Sequence, residues 1–187
     1  MSHYNTNLDK NEANYVPLSP LTFLERTKDI YPNYEALVYE SRSYTWGEVY
    51  KRCVKFASAL DKLGVKTGDT VSIEIFEAHY SIPMVGAVIN AINTRLDPNT
   101  VSYILQHSDA KVLIVDRQFH DVIEKALKNV KNKITIIDID DQDIDTSSFK
   151  KIGELEYESF LNTGDENYEW KKPKDEWEAI SLSYTSG

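Results

Sequence analysis

The chain ends in the residues whose types and order best suit chemistry, Tyr184-Thr185-Ser186-Gly187. A Thr-Ser-Gly turn leaving a buried strand can aim backbone amides and hydroxyls at phosphate oxygens, and glycine accepts dihedrals that other residues resist. Ile180, Leu182 and Tyr184 alternate with Ser181 and Ser183, the pattern of a strand running straight into that turn. Taken alone, such a tetrad is more often an ordinary turn. Its meaning depends on what surrounds it.

Other chemistry-bearing residues lead less far. The histidines His3, His79, His107 and His120 lack the spacing that sets two imidazoles on one helix face, so no protein-held metal is expected. His79, His107 and His120 read as histidines satisfied within the core. The acidic run from Asp138 to Asp145 invites a calcium loop. Neither Asp138 nor Asp141 as first ligand puts Gly sixth or Glu twelfth, and the run reads as a solvated loop. Cys53, the only cysteine, falls on an apolar helix face and reads as a small buried hydrophobe. It can form no intrachain disulfide, which fits a reducing cytoplasm. Trp46, Trp170 and Trp177 are scattered, as ordinary core and rim packing would have them.

The elements that must position the final turn alternate regularly. Residues 1–16, rich in Asn, Asp and Lys and without periodicity, are expected to form an extended tail. A short helix is predicted between Leu18 and Tyr31, with Leu21, Leu24 and Ile30 inward, and a strand over Ala36–Tyr39. Thr45-Trp46-Gly47-Glu48 is a capping box opening a helix with Val49, Cys53, Phe56, Ala57, Leu60 and Leu63 on its inner face, closed by Gly64. Thr70–Ile73 is a buried strand. A second helix is predicted from about Glu74 to Asn93, interrupted only by Pro83. Asp97-Pro98 starts another, with Val101, Ile104 and Leu105 inward. Lys111–Asp116 reads as a strand covered on both faces, the segment from Phe119 to Val130 as an amphipathic helix, and Ile134–Ile137 as a strand. The pattern predicts a doubly wound α/β fold with a largely parallel sheet and helices on both faces, whose ligands bind outside the carboxyl ends of the strands.

The 187 residues, 41% hydrophobic, suffice for one sizeable core. A formal charge of -9 argues against a nucleic-acid partner, which calls for a basic face. No apolar run is long enough to cross a membrane.

Four blocks in order then resemble the adenylate-forming (AMP-binding) superfamily. They are Val16 to Arg26, Ser43-Tyr44-Thr45-Trp46-Gly47-Glu48 through Leu63 to Val71, Gly86 to Asp97, and Asp175 to Gly187. In that family the last block continues as a phosphate loop, so the resemblance implies that Thr185, Ser186 and Gly187 are ATP-phosphate positions and Tyr184 is structural. It further implies that residues 17–187 are the first part of an AMP-binding domain, cut at that loop, with the C-terminal domain absent. Asn93-Thr94-Arg95-Leu96 and Ser108 to Asp116 look most like acyl-CoA synthetases acting on medium-chain or methylmercaptopropionate-type acids in fatty acid metabolism. Such a ligase joins a carboxylate to ATP as an acyl-adenylate, with magnesium accompanying the ATP, and then passes the acyl group to CoA. This piece alone is expected to be inactive. A luciferase-like or amino-acid-adenylating enzyme, or a non-enzymatic α/β interaction module, remains open. One departure is visible: between Ile73 and the helix carrying Glu77-Ala78-His79-Tyr80 the family has a short loop, and the junction Ile73-Glu74 looks compressed.

Overall fold

In a computed structural model, residues 6–11, 13–73 and 75–185 are described. Ser19 opens α1 (Pro20–Ile30): its hydroxyl accepts from the Leu21 amide, and Pro20 sits where a missing N–H costs nothing. Leu21 and Leu24 are buried, whereas Ile30 is 54% exposed. Strands β1 (Glu35–Tyr39) and β2 (Arg42–Thr45) form an antiparallel hairpin, of which the sequence pattern disclosed only the first strand.

Helix α2 (Trp46–Leu63) begins at the expected capping box, in which Thr45 Oγ1 accepts from the Glu48 amide at 3.3 Å and the Glu48 carboxylate accepts from the Thr45 amide at 2.8 Å. It ends at Gly64, whose φ of 96° is left-handed. Phe56, Ala59 and Leu60 face the sheet and are fully buried. Burying a side chain the size of Phe56 contributes roughly 2–3 kcal/mol before unfolded-state compaction is allowed for.

Strand β3 (Thr70–Ile73) is as expected, but the long helix predicted after it does not exist. In its place stand a two-turn helix, α3 (Ala78–Met84), and a strand, β4 (Val88–Ala91). Gly86 explains the change: its φ of 81° is left-handed, and a Cβ there would lie 2.7 Å from Thr67 Oγ1. Beyond that turn the β-branched Val88 and Ile89 pair parallel to β3, from Thr70 opposite Val88 to Ile73 opposite Ala91. Ile89 satisfied helical spacing and strand alternation alike. Strand β3 ends at Ile73 and α3 begins at Ala78; Glu74, on which the expectation of a compressed junction turns, lies outside the described residues.

Helix α4 (Pro98–His107) is capped by Asp97, which accepts from the Asn99 and Thr100 amides. Strand β5 (Ala110–Asp116) leads through a 3₁₀ turn at Arg117–Phe119 into α5 (His120–Leu127). Strand β6 (Thr135–Ile139), the two-residue β7 (Leu155–Glu156) and the short α6 (Tyr157–Leu161) complete the elements. The five central strands are all parallel in the order β4-β3-β5-β6-β7. Alternation along β5 decides the layers. Val112 and Ile114 pack under α2, α3 and α6, while Leu113 and Val115 pack under α4 and α5. This is the doubly wound α/β fold that the sequence pattern predicts, with helices on both faces. The predicted final strand is reduced to one parallel bridge, Ile89 to Ser181, on the outer edge of β4.

Candidate active site

Parallel strands bring their carboxyl ends to one edge, and a cleft of about 510 Å³ opens there. Ile73 at the end of β3, Asp116 at the end of β5 and Ile139 at the end of β6 line it, with Asn93 and Thr94 from the loop after β4. Leu37, Tyr39, Arg42 and Tyr44 of the hairpin form a side wall.

Three arginines meet carboxylates around this cleft. Arg52, on α2, bonds Glu77 through Nε, and its Nη1 and Nη2 donate to Glu158 at 3.0 and 2.5 Å. Its guanidinium also lies over the Tyr44 ring, 5.0 Å from the centroid. Burial opposes the charge, but hydrogen bonds to Glu158 and Glu77 outweigh it and hold Arg52 above its ordinary range. Burial, reinforced by the Glu77 charge, pushes the Tyr157 hydroxyl well up.

Arg42 makes the second clamp, donating to Asp141 at 2.8 Å and to Asp143 at 3.0 Å. The Tyr39 hydroxyl donates to the other Asp141 oxygen at 2.5 Å, so the hairpin is tied to the loop after β6. That bond, aided by burial, raises Tyr39 to about 12. Asp141 is pulled the other way: burial favours its neutral form, but the Tyr39 hydroxyl, the Asp143 amide and Arg42 together bring it below the usual carboxylate range. Arg117 makes the third clamp, donating to Asp140 at 2.8 Å and to the Phe149 carbonyl at 2.5 Å.

The segment leading to the sequence-predicted site residues runs along the outer edge of β4. Ile89 donates to the Ile180 carbonyl at 3.0 Å and accepts from Leu182 at 2.8 Å, so the segment runs parallel to the sheet strands. Thr185 is exposed; Ser186 and Gly187 lie outside the described residues. Tyr184 is half-buried, and its hydroxyl is 2.8 Å from His107 Nδ1. It packs on the same cluster as Ile92, which lines the cleft.

Several expectations need correction. His79 and His107 are exposed rather than core residues, because His79 caps back onto the Ile75 carbonyl at 3.0 Å and His107 reaches sideways to Tyr184. His120 is partly buried beside Asp121, with Nδ1 lacking a partner. The acidic run is not uniformly solvated: Asp138 is 1% exposed and accepts from the Ile152 and Gly153 amides, and Asp141 is buried against the hairpin. Trp177 is 93% exposed. Cys53 is buried as expected, and burial raises its thiol. Among the described residues no group of three His, Cys, Asp or Glu could hold a metal. No helix among them is long and apolar enough to cross a membrane. The Arg52, Glu77, Tyr157 and Glu158 cluster was missed because its members lie on separate elements; the only local signal is an arginine beside Cys53 on the buried side of α2.

A family model described as AMP-binding enzyme matches residues 24–187. An acetate-CoA ligase of Humulus lupulus is 41% identical to this chain, over 96% of the chain and 34% of that protein. A peroxisomal acetate/butyrate-CoA ligase of Arabidopsis thaliana is 40% identical, again over 96% and 34%. The crystal structure of an anthranilate CoA ligase in complex with anthranoyl-AMP superposes with a TM-score of 0.81 at 25% identity, over 96% of this chain and 34% of that one. The chain thus spans about a third of the length of these relatives. With a match that runs from Leu24 through the parallel sheet to the segment beside β4, the chain belongs to the family of AMP-binding enzymes.

Proposed function

We propose that this chain is the N-terminal part of an ATP-dependent acyl-CoA ligase. A carboxylate attacks the α-phosphate of ATP, giving an acyl-adenylate and pyrophosphate, and CoA then displaces AMP as a thioester. The observation that carries this reading is identity of about 40% to proteins named as CoA ligases, sustained over 96% of the chain. Residues 17–187 form the first part of the AMP-binding domain, and residues 1–16 precede it.

Thr185, Ser186 and Gly187 are assigned to the triphosphate. The exposure of Thr185, at the end of a segment running with the parallel strands, suits a hydroxyl donor to phosphate oxygen. Phosphoryl transfer of this kind is mainly positioning and charge neutralisation, which the turn supplies in part. Magnesium would enter with the nucleotide. The acid belongs to the short- or medium-chain class, in fatty acid metabolism. The working location is the cytoplasm; the peroxisomal names of several relatives make that compartment the alternative, and a tagged longer protein distinguishes the two.

Carboxylate-dependent exchange of pyrophosphate into ATP by the longer protein is the test. Silence of that protein contradicts the ligase assignment, and exchange by these 187 residues alone contradicts their assignment as a part. Adenylate formation without a CoA thioester would move the protein to a luciferase-like or amino-acid-adenylating role.

A further inference from the structure

Tyr184 immediately precedes the turn that the proposed function assigns to phosphate, and α4 rather than the sheet holds it. The main chain behind it is fixed at one place, the two hydrogen bonds of Ile89 to Ile180 and Leu182. Among the described residues no main-chain hydrogen bond reaches Ser183, Tyr184 or Thr185. The direction in which Thr185 leaves the sheet therefore depends on the Tyr184 side chain.

That side chain is held on three counts. Its hydroxyl lies 2.8 Å from His107 Nδ1, a tie that spans 77 residues of sequence. Its ring meets Tyr103 edge-on at 6.5 Å and 82°, and His107 at 5.8 Å and 79°. Tyr103 and His107, one helical turn apart, stack at 5.3 Å and 22° to form the wall. Tyr103 is 58% exposed, so burial alone does not account for its place in this arrangement. The phenolic oxygen donates to a neutral Nδ1 and accepts from a protonated one, so the tie holds in either state of the imidazole.

The geometry points to His107 as a positioning residue for adenylation. Acting through Tyr184, with Tyr103 behind the ring, it sets the path of Thr185 before nucleotide arrives. The inference rests on the ligase reading for its purpose and on the His107–Tyr184 contact for its physics. An untethered Thr185 must be ordered when ATP binds, so loss of the tie weakens ATP binding more than it slows chemistry.

The test has two arms. In the 187-residue chain, the amide chemical shift and ¹⁵N order parameter of Thr185 are compared among the parent, His107→Ala, Tyr184→Phe and His107→Asn. Both disruptive variants are expected to shift the amide and loosen it, and Asn, whose carboxamide falls near Nδ1, restores it. Tyr184→Phe removes one oxygen and keeps the test available where His107→Ala fails to fold. In the longer protein, the same two variants raise the KM for ATP about threefold to tenfold, the range of one hydrogen bond, and leave kcat and the carboxylate KM within about twofold. The double variant is expected to be no worse than either single one. A Thr185 amide unmoved by both substitutions overturns the inference, as does a fall in kcat with the ATP KM unchanged. Absence of exchange by the unsubstituted longer protein overturns the ligase reading instead, and the Thr185 amide then decides the tie by itself.

Discussion

The Tyr157 hydroxyl donates to Glu77 Oε2 at 2.6 Å, joining the first turn of α6 to the residue before α3. Arg52 completes the junction from α2, bonded to Glu77 and Glu158. Three helices on one face of the sheet thus meet at a single carboxylate that is 5% exposed.

That junction sets a graded stability expectation. Arg52→Met leaves the Glu77 charge buried without its partner and should cost about 3–5 kcal/mol. Tyr157→Phe removes one hydrogen bond to a charged group and should cost about 1.5–3 kcal/mol. Urea unfolding midpoints at unchanged slope report both. An Arg52→Met midpoint above that of Tyr157→Phe would show that the ion pair does not hold the junction.

The Tyr39–Asp141 bond gives the stability curve a feature at each end of the pH range. An unfolded tyrosine ionises near about 10, but Tyr39 in the fold stays protonated to about 12. Between those values the folded chain holds a proton that the unfolded chain has released, so stability falls as pH rises through the window. Asp141, with its folded value lowered, contributes stability above the ordinary carboxylate range that is lost as pH falls below it. Phenolate absorbance should show Tyr39 among the late-titrating tyrosines, beside the buried Tyr157, and Asp141→Asn should bring one of them back toward the ordinary value and flatten both limbs. A titration unchanged by Asp141→Asn sinks the account.

What the sequence disclosed of this fold was whatever neighbours in the chain decide. The capping box at Thr45, the left-handed Gly64 and the Asp97 cap are local devices, and each stands where the spacing put it. The segment after Ile73 failed because Ile82, Gly86 and Ile89 satisfy helical spacing, while the left-handed backbone at Gly86 and parallel pairing with β3 favour a turn and a strand. Strand β2 was hidden for a similar reason, since its pairing with β1 rather than its own pattern defines it. Near the candidate site, the strand-like run before Thr185 was legible only in part, since a single bridge, Ile89 to Ser181, forms there. The Arg52 and Arg42 clamps were not, because their partners lie up to 106 residues away and arrive only when the sheet assembles.

Cys53 offers a simple probe of that assembly. Its thiol is fully buried on α2, pushed up by burial, and its Sγ lies 3.6 Å from the Glu77 carbonyl. A thiol reagent such as Ellman's should leave it untouched under native conditions and consume one equivalent in denaturant. Rapid native labelling would mean that α2 opens from the sheet, and with it the Arg52 junction next door.

Two glycines should fail differently on substitution by alanine. Gly68 holds a φ of 85° with nothing within 4 Å of an added Cβ, so Gly68→Ala meets only left-handed strain, about 1–2 kcal/mol. At Gly164, just past α6, an added Cβ would fall 1.8 Å from the Lys55 carbonyl oxygen on α2, a backbone atom that cannot swing aside. Gly164→Ala must therefore push α6 off α2, disturbing Phe56, which packs edge-on against Tyr157 and Phe160 at 5.1 and 6.0 Å. Overpacking of this kind costs about 1–3 kcal/mol or more, and here it also pulls Tyr157 from Glu77. The expected urea midpoints run parent, then Gly68→Ala, then Gly164→Ala, with Tyr157 near-ultraviolet dichroism altered only in the last; the reverse order would place the close approach of α6 to α2 in error.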